Sequence, residues 1–312
     1  VKRILWVALA AVVLVLAGSV QAWDGHDIIT HQSLRDFEQL ELMLEETPYL
    51  YDDVDESMYN LEFELVYLHA DGEPFSALDV LTAYASEPDW DLDTNLQLSR
   101  LQMLTGGSHG WRHQRYTLLG GVIVLGVAPE RAEHFYQMAL HAHAEGDLYW
   151  AFRFLARSLH YMQDMGQPYH ALPMPVSHFL TRHWLNIADA TIVAENLHFA
   201  LEGYVEHQLA QGYLPFLEAL QGSAYTEIRD VKQAAIDLNE KARGVVMEQY
   251  DLTQEVWPDL AVPHRQRLDF AYEPVTPSAD LDRLHEIIEK SLRWTAEYTR
   301  GMVLRFLEDT GM

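Results

Sequence analysis

The sequence contains no cysteine. Disulfide frameworks, cysteine nucleophiles, iron–sulfur clusters and thiolate zinc sites are therefore excluded. Positive charge is scarce: 21 Lys+Arg stand against 47 Asp+Glu, a formal net charge of −26. That balance argues against non-specific binding to a long polyanion, which depends on Lys and Arg neutralising phosphates. After the N-terminal segment no apolar run is long enough to span a membrane; the longest, Leu118 to Val127, is short and holds three glycines. Internal repeats and low-complexity tracts are missing too. What is present is 49% hydrophobic residues across 312 positions. This is enough to bury a sizeable core, so the composition is globular and not disordered. There are also 16 His. With thiolates excluded, any metal must be held by imidazole, carboxylate or the chain itself.

The N-terminus carries an address. Lys2 and Arg3 give a short positive start, Ile4 to Gly18 is unbroken apolar chain, and Ser19-Val20-Gln21-Ala22 supplies small residues. These are the three parts of a secretory signal peptide, and the run is short for a span. The reading predicts cleavage between Ala22 and Trp23 and a secreted or periplasmic protein. The alternative is an uncleaved anchor. A lipoprotein anchor is excluded by the lack of cysteine.

The remainder, 23–312, reads as one mainly helical, all-α domain with long loops. Apolar residues recur at three and four along Asp27 to Glu46, through Ile28, Leu34, Phe37, Leu40 and Leu44. Pro129-Glu130 opens a helix through Ala144, and Asp147 is a candidate N-cap for Leu148 to Met165. Further helices are predicted over Asp189 to Gln211, Ile228 to Tyr250 and Asp280 to Leu307. Loops are predicted over Tyr84 to Asn95, Gly106 to Gly121, Pro168 to Pro175 and Trp257 to Pro277. Period-two alternation is scarce. The stretch 212–312 is a helical extension whose role the sequence leaves open; it lacks the strand pattern of a β-sandwich module.

The chemistry concentrates in His160-Tyr161-Met162-Gln163-Asp164-Met165-Gly166-Gln167-Pro168-Tyr169-His170. His160 and Asp164 are one helical turn apart on a shared face. Gly166 and Pro168 stop the helix, and His170 returns a third ligand-type group. Imidazole and carboxylate are what Zn²⁺ takes where no thiolate exists. A helix end with ordinary satisfied polar side chains is the plain alternative. His198 and Glu202 repeat the spacing inside the next helix, beside Leu201 and Val205, which look core-facing. Two ionisable groups on a packed face are costly unless paired with each other or bound to metal. The predicted mature start, Trp23-Asp24-Gly25-His26, offers an α-amino group and a carbonyl that can chelate, with His26 close by. On its own it reads as an ordinary frayed terminus.

Together these residues resemble the zinc-dependent phospholipase C and S1/P1 nuclease superfamily, closer to its bacterial phospholipase C branch. The family's H-x-x-x-D followed by Q-P-x-H stands here as His160, Asp164, Gln167-Pro168 and His170. Its later H-x-x-x-E/D stands as His198 and Glu202, with Tyr204-Val205 as in the phospholipase branch, and its N-terminal Trp as Trp23. The motifs lie within 23–207. The resemblance implies an all-α fold and three Zn²⁺ ions. One would be held by Asp89, His113, His160 and Asp164. A second would be held by His170, His198 and Glu202. The third would be held by the amino and carbonyl groups of Trp23 with His26, sharing Asp164. Asp91 and Asp93 compete with Asp89, His109 competes with His113, and His31 competes with His26.

The implied function is a secreted phosphoric ester hydrolase, a phosphodiesterase of phospholipase C type that cleaves a phospholipid head group with a zinc-activated hydroxide. Asp89 is its candidate catalytic carboxylate, orienting or deprotonating the nucleophile. The alternatives are an S1/P1-type single-strand nuclease or 3′-nucleotidase and a non-catalytic zinc-binding relative. Tyr84, Trp90 and Trp111 are candidate walls for the substrate, or loop packing. The substrate is a phospholipid or another phosphodiester. Transient contact with a membrane surface is compatible with it. No stable nucleic-acid complex is expected, and no protein partner can be inferred.

Overall fold

The computed structural model describes residues 25–68, 75–118, 121–175, 187–262 and 275–312. The predicted signal peptide 1–22, Trp23 and Asp24 lie outside them. The described chain is mainly helical. Its elements are, in order, α1 (His26–Leu34), β1 (Met43–Leu44), β2 (Phe75–Ser76), α2 (Ala77–Tyr84), α3 (Gly107–His113), β3 (Tyr116–Leu118), β4 (Ile123–Leu125), α4 (Ala128–Ala144), α5 (Leu148–Asp164), α6 (Pro168–Ala171), α7 (Ile187–Ala210), α8 (Leu214–Leu220), α9 (Val231–Arg243), α10 (Val246–Val256) and α11 (Ala279–Thr310). Two small antiparallel ladders interrupt the helices: Met43 pairs with Ser76 and Leu44 with Phe75, and Tyr116 to Leu118 pair with Leu125 to Ile123.

Local chemistry explains most boundaries. Ser76 and Asp79 form a capping box at the start of α2. Asp147 accepts a hydrogen bond from the Trp150 backbone N–H and caps α5. Ser278 does the same for α11 through Leu281 N–H. Pro129 sits in the first turn of α4, where a missing N–H costs nothing.

Two predicted helices are subdivided and two predicted loops contain regular elements. The periodic segment Asp27 to Glu46 is helical only to Leu34; a 3₁₀ turn at Glu38–Glu41 and β1 follow. Its apolar spacing is met by separate elements facing the same core, which periodicity alone cannot distinguish from one helix. Ile228 to Tyr250 splits into α9 and α10 at Gly244. The predicted loop Gly106 to Gly121 contains α3 and β3, and Pro168 to Pro175 contains the short α6. Gly110 lets α3 pack tightly, since a Cβ there would overlap the Thr105 carbonyl oxygen.

α5 runs through the interior: all its residues from Tyr149 to Asp164 are buried. A helix covered on every side has no solvent face and needs none of the usual amphipathic patterning. One hydrophobic cluster surrounds it, with Phe135 of α4, Trp150, Phe154 and Leu155 of α5 and Leu81 of α2. A second joins Leu197 and Leu201 of α7, Phe216 of α8, Tyr250 of α10 and Leu284 of α11. The long α11 enters both, with Leu292 and Ala296 in the second and Met302 and Phe306 in the first. At the crossover it passes against Gly166, where a Cβ would strike the Thr295 hydroxyl. The His/carboxylate motif therefore lies where the two clusters meet, with Met162 and Met165 in one and Tyr169 in the other.

Candidate metal centre

The C-terminal turn of α5 delivers His160 and Asp164, fully buried. His160 Nδ1 lies 2.8 Å from the Ala85 carbonyl oxygen. A carbonyl only accepts, so Nδ1 carries the proton and Nε2 keeps its lone pair. Nε2 faces His113 Nδ1 at 2.9 Å, Asp89 Oδ1 at 3.5 Å and Asp164 Oδ2 at 3.5 Å. His113 Nδ1 in turn is 3.0 Å from Asp164 Oδ2 and 3.6 Å from Asp89 Oδ1. Five of the six edges among these four donor atoms thus measure 2.9 to 3.6 Å. An ion bound tetrahedrally at ~2.0–2.1 Å keeps its ligands roughly 3.3 Å apart.

His113 is fixed from behind. Its Nε2 lies 3.2 Å from Asp93 Oδ2, and its Nδ1 bonds Asp164 Oδ2 at 3.0 Å; a cation at Nδ1 would take the place of that proton. Asp93 is buried, accepts a hydrogen bond from Tyr161 and pairs with Arg112. Burial would raise its pKa, but Arg131, the hydrogen bond from His113 and Arg112 hold the carboxyl well below the usual range. Asp89 ends a 3₁₀ turn, Glu87–Asp89, that Glu87 anchors to α5 through buried pairs with Arg153 and Arg157.

His170, on α6, faces Asp164 Oδ1 with Nδ1 at 3.2 Å and Glu202 Oε1 with Nε2 at 3.2 Å. Glu202 is also 2.7 Å from His198 Nε2, one turn earlier on α7. Gln167 donates to Glu202 Oε1 at 3.0 Å and also caps α6 by accepting from Tyr169 N–H. The glutamine of the Q-P-x-H motif therefore orients the glutamate of the other motif. His26, at the start of α1, lies 2.8 Å from Gln163 Oε1 through Nδ1 and 3.7 Å from Asp164 Oδ1 through Nε2. Asp164 thereby turns one oxygen to His113 and His160 and the other to His170 and His26.

Three groups can each hold an ion with donor atoms within 4.8 Å of one another: His26, His160 and Asp164; Asp89, His109 and His113; and His170, His198 and Glu202. Several buried donor atoms have no hydrogen-bond partner, namely Asp164 Oδ1, His170 Nδ1, Glu202 Oε2 and both ring nitrogens of His109. Orphaned buried donors and acceptors of this kind are costly, and a cation at their centre relieves the cost. The electrostatics agree. Burial would raise Asp164, but His160, His170 and His113 hold it well below the carboxylate range. Glu202 is drawn down to about 2 against burial by His198 and His170. Against burial, Asp164 raises His113 to about 10 and His170 to about 9. Burial lowers His26, His160 and His198. A concentration of ionised carboxylate facing imidazole is a setting for divalent cations, and the donors present fit zinc.

The structure gathers His26, Asp89, His113, His160, Asp164, His170, His198 and Glu202 at one place; Trp23 lies outside the described residues. Of the rivals, His31 is exposed on the far side of α1, and Asp91 receives the Thr94 hydroxyl. Asp93 stands behind His113, paired with Arg112. His109 is not an alternative to His113 but its neighbour. Tyr84 is buried beneath the Arg153 guanidinium and hydrogen-bonded to Tyr149, so it is no wall of an open site. Trp90 and Trp111 pack against the two hydrophobic clusters. Leu201 and Val205 are buried as their pattern predicts. Tyr204 reaches α11, with its hydroxyl 2.7 Å from His285 Nε2. The parts that sequence reasoning missed are the place of Asp93 behind His113 (the sequence offers it only as a rival ligand), Gln167 as an orienting group, and Glu87. The signal for Gln167 is its place inside the Q-P-x-H motif; nothing local marks the other two.

The fold and site define a mainly helical protein with three buried clusters of candidate metal ligands. Among solved structures, the chain is similar over 94% of its length to the crystal structure of Clostridium perfringens alpha-toxin isolated from avian strain SWCP, at 15% identity and a TM-score of 0.42. It spans 65% of that chain. No family profile matches the sequence, and no curated protein matches it. No helix among the described residues is long and apolar enough to cross a membrane.

Proposed function

We propose that this protein is an exported zinc-dependent phosphoric ester hydrolase, a phosphodiesterase acting on a phospholipid head group in the manner of a phospholipase C. The observation that carries the reading is the convergence of His160, Asp164, His170, His198 and Glu202, whose motif spacing matches that family, with Asp89, His113 and His26 around shared carboxylates. The three zinc ions read from the motifs would use Asp89, His113, His160 and Asp164; His170, His198 and Glu202; and His26 with Asp164 and the terminal groups of Trp23. Zinc bound there supplies Lewis acidity, lowering the pKa of water and offsetting charge on phosphoryl oxygens.

The chain's own groups do the positioning. Asp164 holds the donor sets in register, since each of its oxygens faces a different pair of imidazoles. Asp89 is the most exposed of these carboxylates, with 19% of its side chain open, and so faces the side from which substrate arrives. Within reach of an attacking water, it orients that water or takes its proton.

Exposed apolar residues favour lipid over a nucleic-acid base. Met58 lies beside α3, since Arg112 donates to its carbonyl, and Asn60 bonds the Asp91 and Leu92 carbonyls. Met58, neighbouring Leu61 and Met103 of the turn before α3 are all exposed. An apolar fringe of this kind suits transient contact with a lipid surface. The buried state of Tyr84 removes one candidate base-stacking platform.

The test uses protein processed to begin at Trp23. Its metal content is measured, and hydrolysis of phosphatidylcholine, single-stranded DNA, a 3′-nucleotide and a chromogenic phosphodiester is followed with and without chelator. Chelator-sensitive turnover of the lipid is expected. Turnover of DNA or nucleotide alone would shift the reading to a nuclease, and no chelator-sensitive turnover would overturn it.

A further inference from the structure

We propose that His109 is an additional ligand of the metal held by Asp89 and His113, a donor outside the set that the motifs supply. This rests on the zinc reading above and deepens it.

His109 and His113 are one turn apart on α3 and present their rings in parallel, with centroids 4.0 Å apart and planes 16° apart. Stacking brings both imidazoles to the same side of the helix, toward the Asp89 turn. His109 Nε2 is 3.6 Å from Asp89 Oδ1, the separation that His113 Nδ1 keeps from the same oxygen. The three donor atoms lie within 4.8 Å of one another.

The second observation is an unmet need. His109 is 9% exposed, and neither ring nitrogen has a hydrogen-bond partner among the described residues. A neutral imidazole carries one donor and one acceptor. Leaving both unused inside a protein carries the full desolvation cost of each group. Asp89 Oδ1 is near enough to attract the ring, yet the two are not aligned as a hydrogen bond. A cation between them satisfies the nitrogen lone pair and the carboxylate together.

Other buried histidines at the centre are held by a protein acceptor: His160 by the Ala85 carbonyl, His26 by Gln163. His109 lacks such a tether, so the metal is what would fix its ring. It sits on the same side as the partly exposed Asp89. There it would add a fifth donor to the four that the motifs supply.

The test measures zinc retention and not turnover. Wild type, His109→Ala and His109→Gln are loaded with zinc and titrated with a chelating dye. One equivalent should leave both variants at tenfold or lower dye concentration than in wild type, while the remaining equivalents follow the wild-type curve. Superimposable curves for all three proteins would overturn the assignment. In wild type itself, the ¹⁵N resonances of the His109 ring should move on zinc addition; unmoved resonances in a zinc-loaded protein would overturn it equally, whether or not the variants fold. A wild-type protein that takes up no zinc would instead defeat the underlying functional reading.

Discussion

His170 Nδ1 lies 3.2 Å from Asp164 Oδ1, and neither atom has a hydrogen-bond partner among the described residues. Two buried polar atoms this close, facing without bonding, are arranged as co-ligands are. Asp164 also faces His26, His113 and His160, so one carboxylate touches every part of the centre except the His198–Glu202 turn.

Asp164→Asn keeps the shape and removes the charge. Loss of an outer partner of a ligand typically costs 10–100-fold in affinity or activity. Loss of this shared carboxylate should cost more than about 100-fold in phosphodiester turnover by the same scale. More than one zinc equivalent should also leave the protein. Metal analysis after gel filtration checks it; full zinc content in the variant would contradict the sharing.

Asp93→Asn tests the support behind His113. The substitution takes away the carboxylate charge facing His113 Nε2, and it leaves Arg112 and Arg131 beside a neutral group in the interior. Zinc affinity should fall about 10–100-fold. Breaking one side of a buried charged network should destabilise the fold by about 3–5 kcal/mol. Dye competition reads the first effect and denaturant unfolding the second. A variant with unchanged affinity would make Asp93 purely structural.

The centre's local parts were legible because each is written within one helix turn or one short motif. His160 and Asp164, and His198 and Glu202, need only helical periodicity to share a face, and His170 needs only the stop at Gly166-Pro168. Asp93, by contrast, meets His113, Arg131 and Tyr161 across segments that nothing in the sequence brings together. Glu87 is equally silent, because its partners Arg153 and Arg157 lie far along the chain. His109 and His113 could not be separated in the sequence for a different reason: both rings face Asp89. In the fold, the helices capped at Asp147 and Ser278 fall where the pattern predicts, while α2, capped at Ser76, is one the sequence reading does not name. The split of Asp27 to Glu46 likewise departs from the pattern, because three successive elements present their apolar residues to one core.

Glu87→Gln tests whether the Asp89 turn depends on its anchor. The glutamate is fully buried between Arg153 and Arg157. Its carboxyl is held below its usual range despite burial, by those two cations. Neutralising it strands two guanidinium groups, at a cost of about 3–5 kcal/mol. Well below the lowered melting temperature, turnover should still be reduced, since Asp89 is two residues along the same turn. Zinc at His170, His198 and Glu202 should be retained. Normal turnover in a destabilised variant would separate the anchor from the site.

Asp55 supplies a pH prediction away from the metal centre. His134 Nε2–H donates to Asp55 Oδ1 at 2.9 Å, and Ser57 N–H donates to the same oxygen at 2.9 Å. Burial would raise this carboxyl, but the hydrogen bonds from His134 and Ser57 outweigh it and hold the group well below the usual carboxylate range. A carboxylate depressed in the folded state stabilises fully above its unfolded pKa and loses that contribution as pH falls through the folded value. Asp55→Asn should therefore destabilise by roughly 1.5–3 kcal/mol at neutral pH, the range for hydrogen bonds to a charged group. The gap from wild type should hold down to about pH 4 and close progressively below it. Thermal unfolding over a pH series, with zinc removed from both proteins so that acid release of metal does not enter, measures the gap. A difference that stays constant from neutral pH to pH 2 would show that packing, and not the charge on Asp55, is what the variant loses.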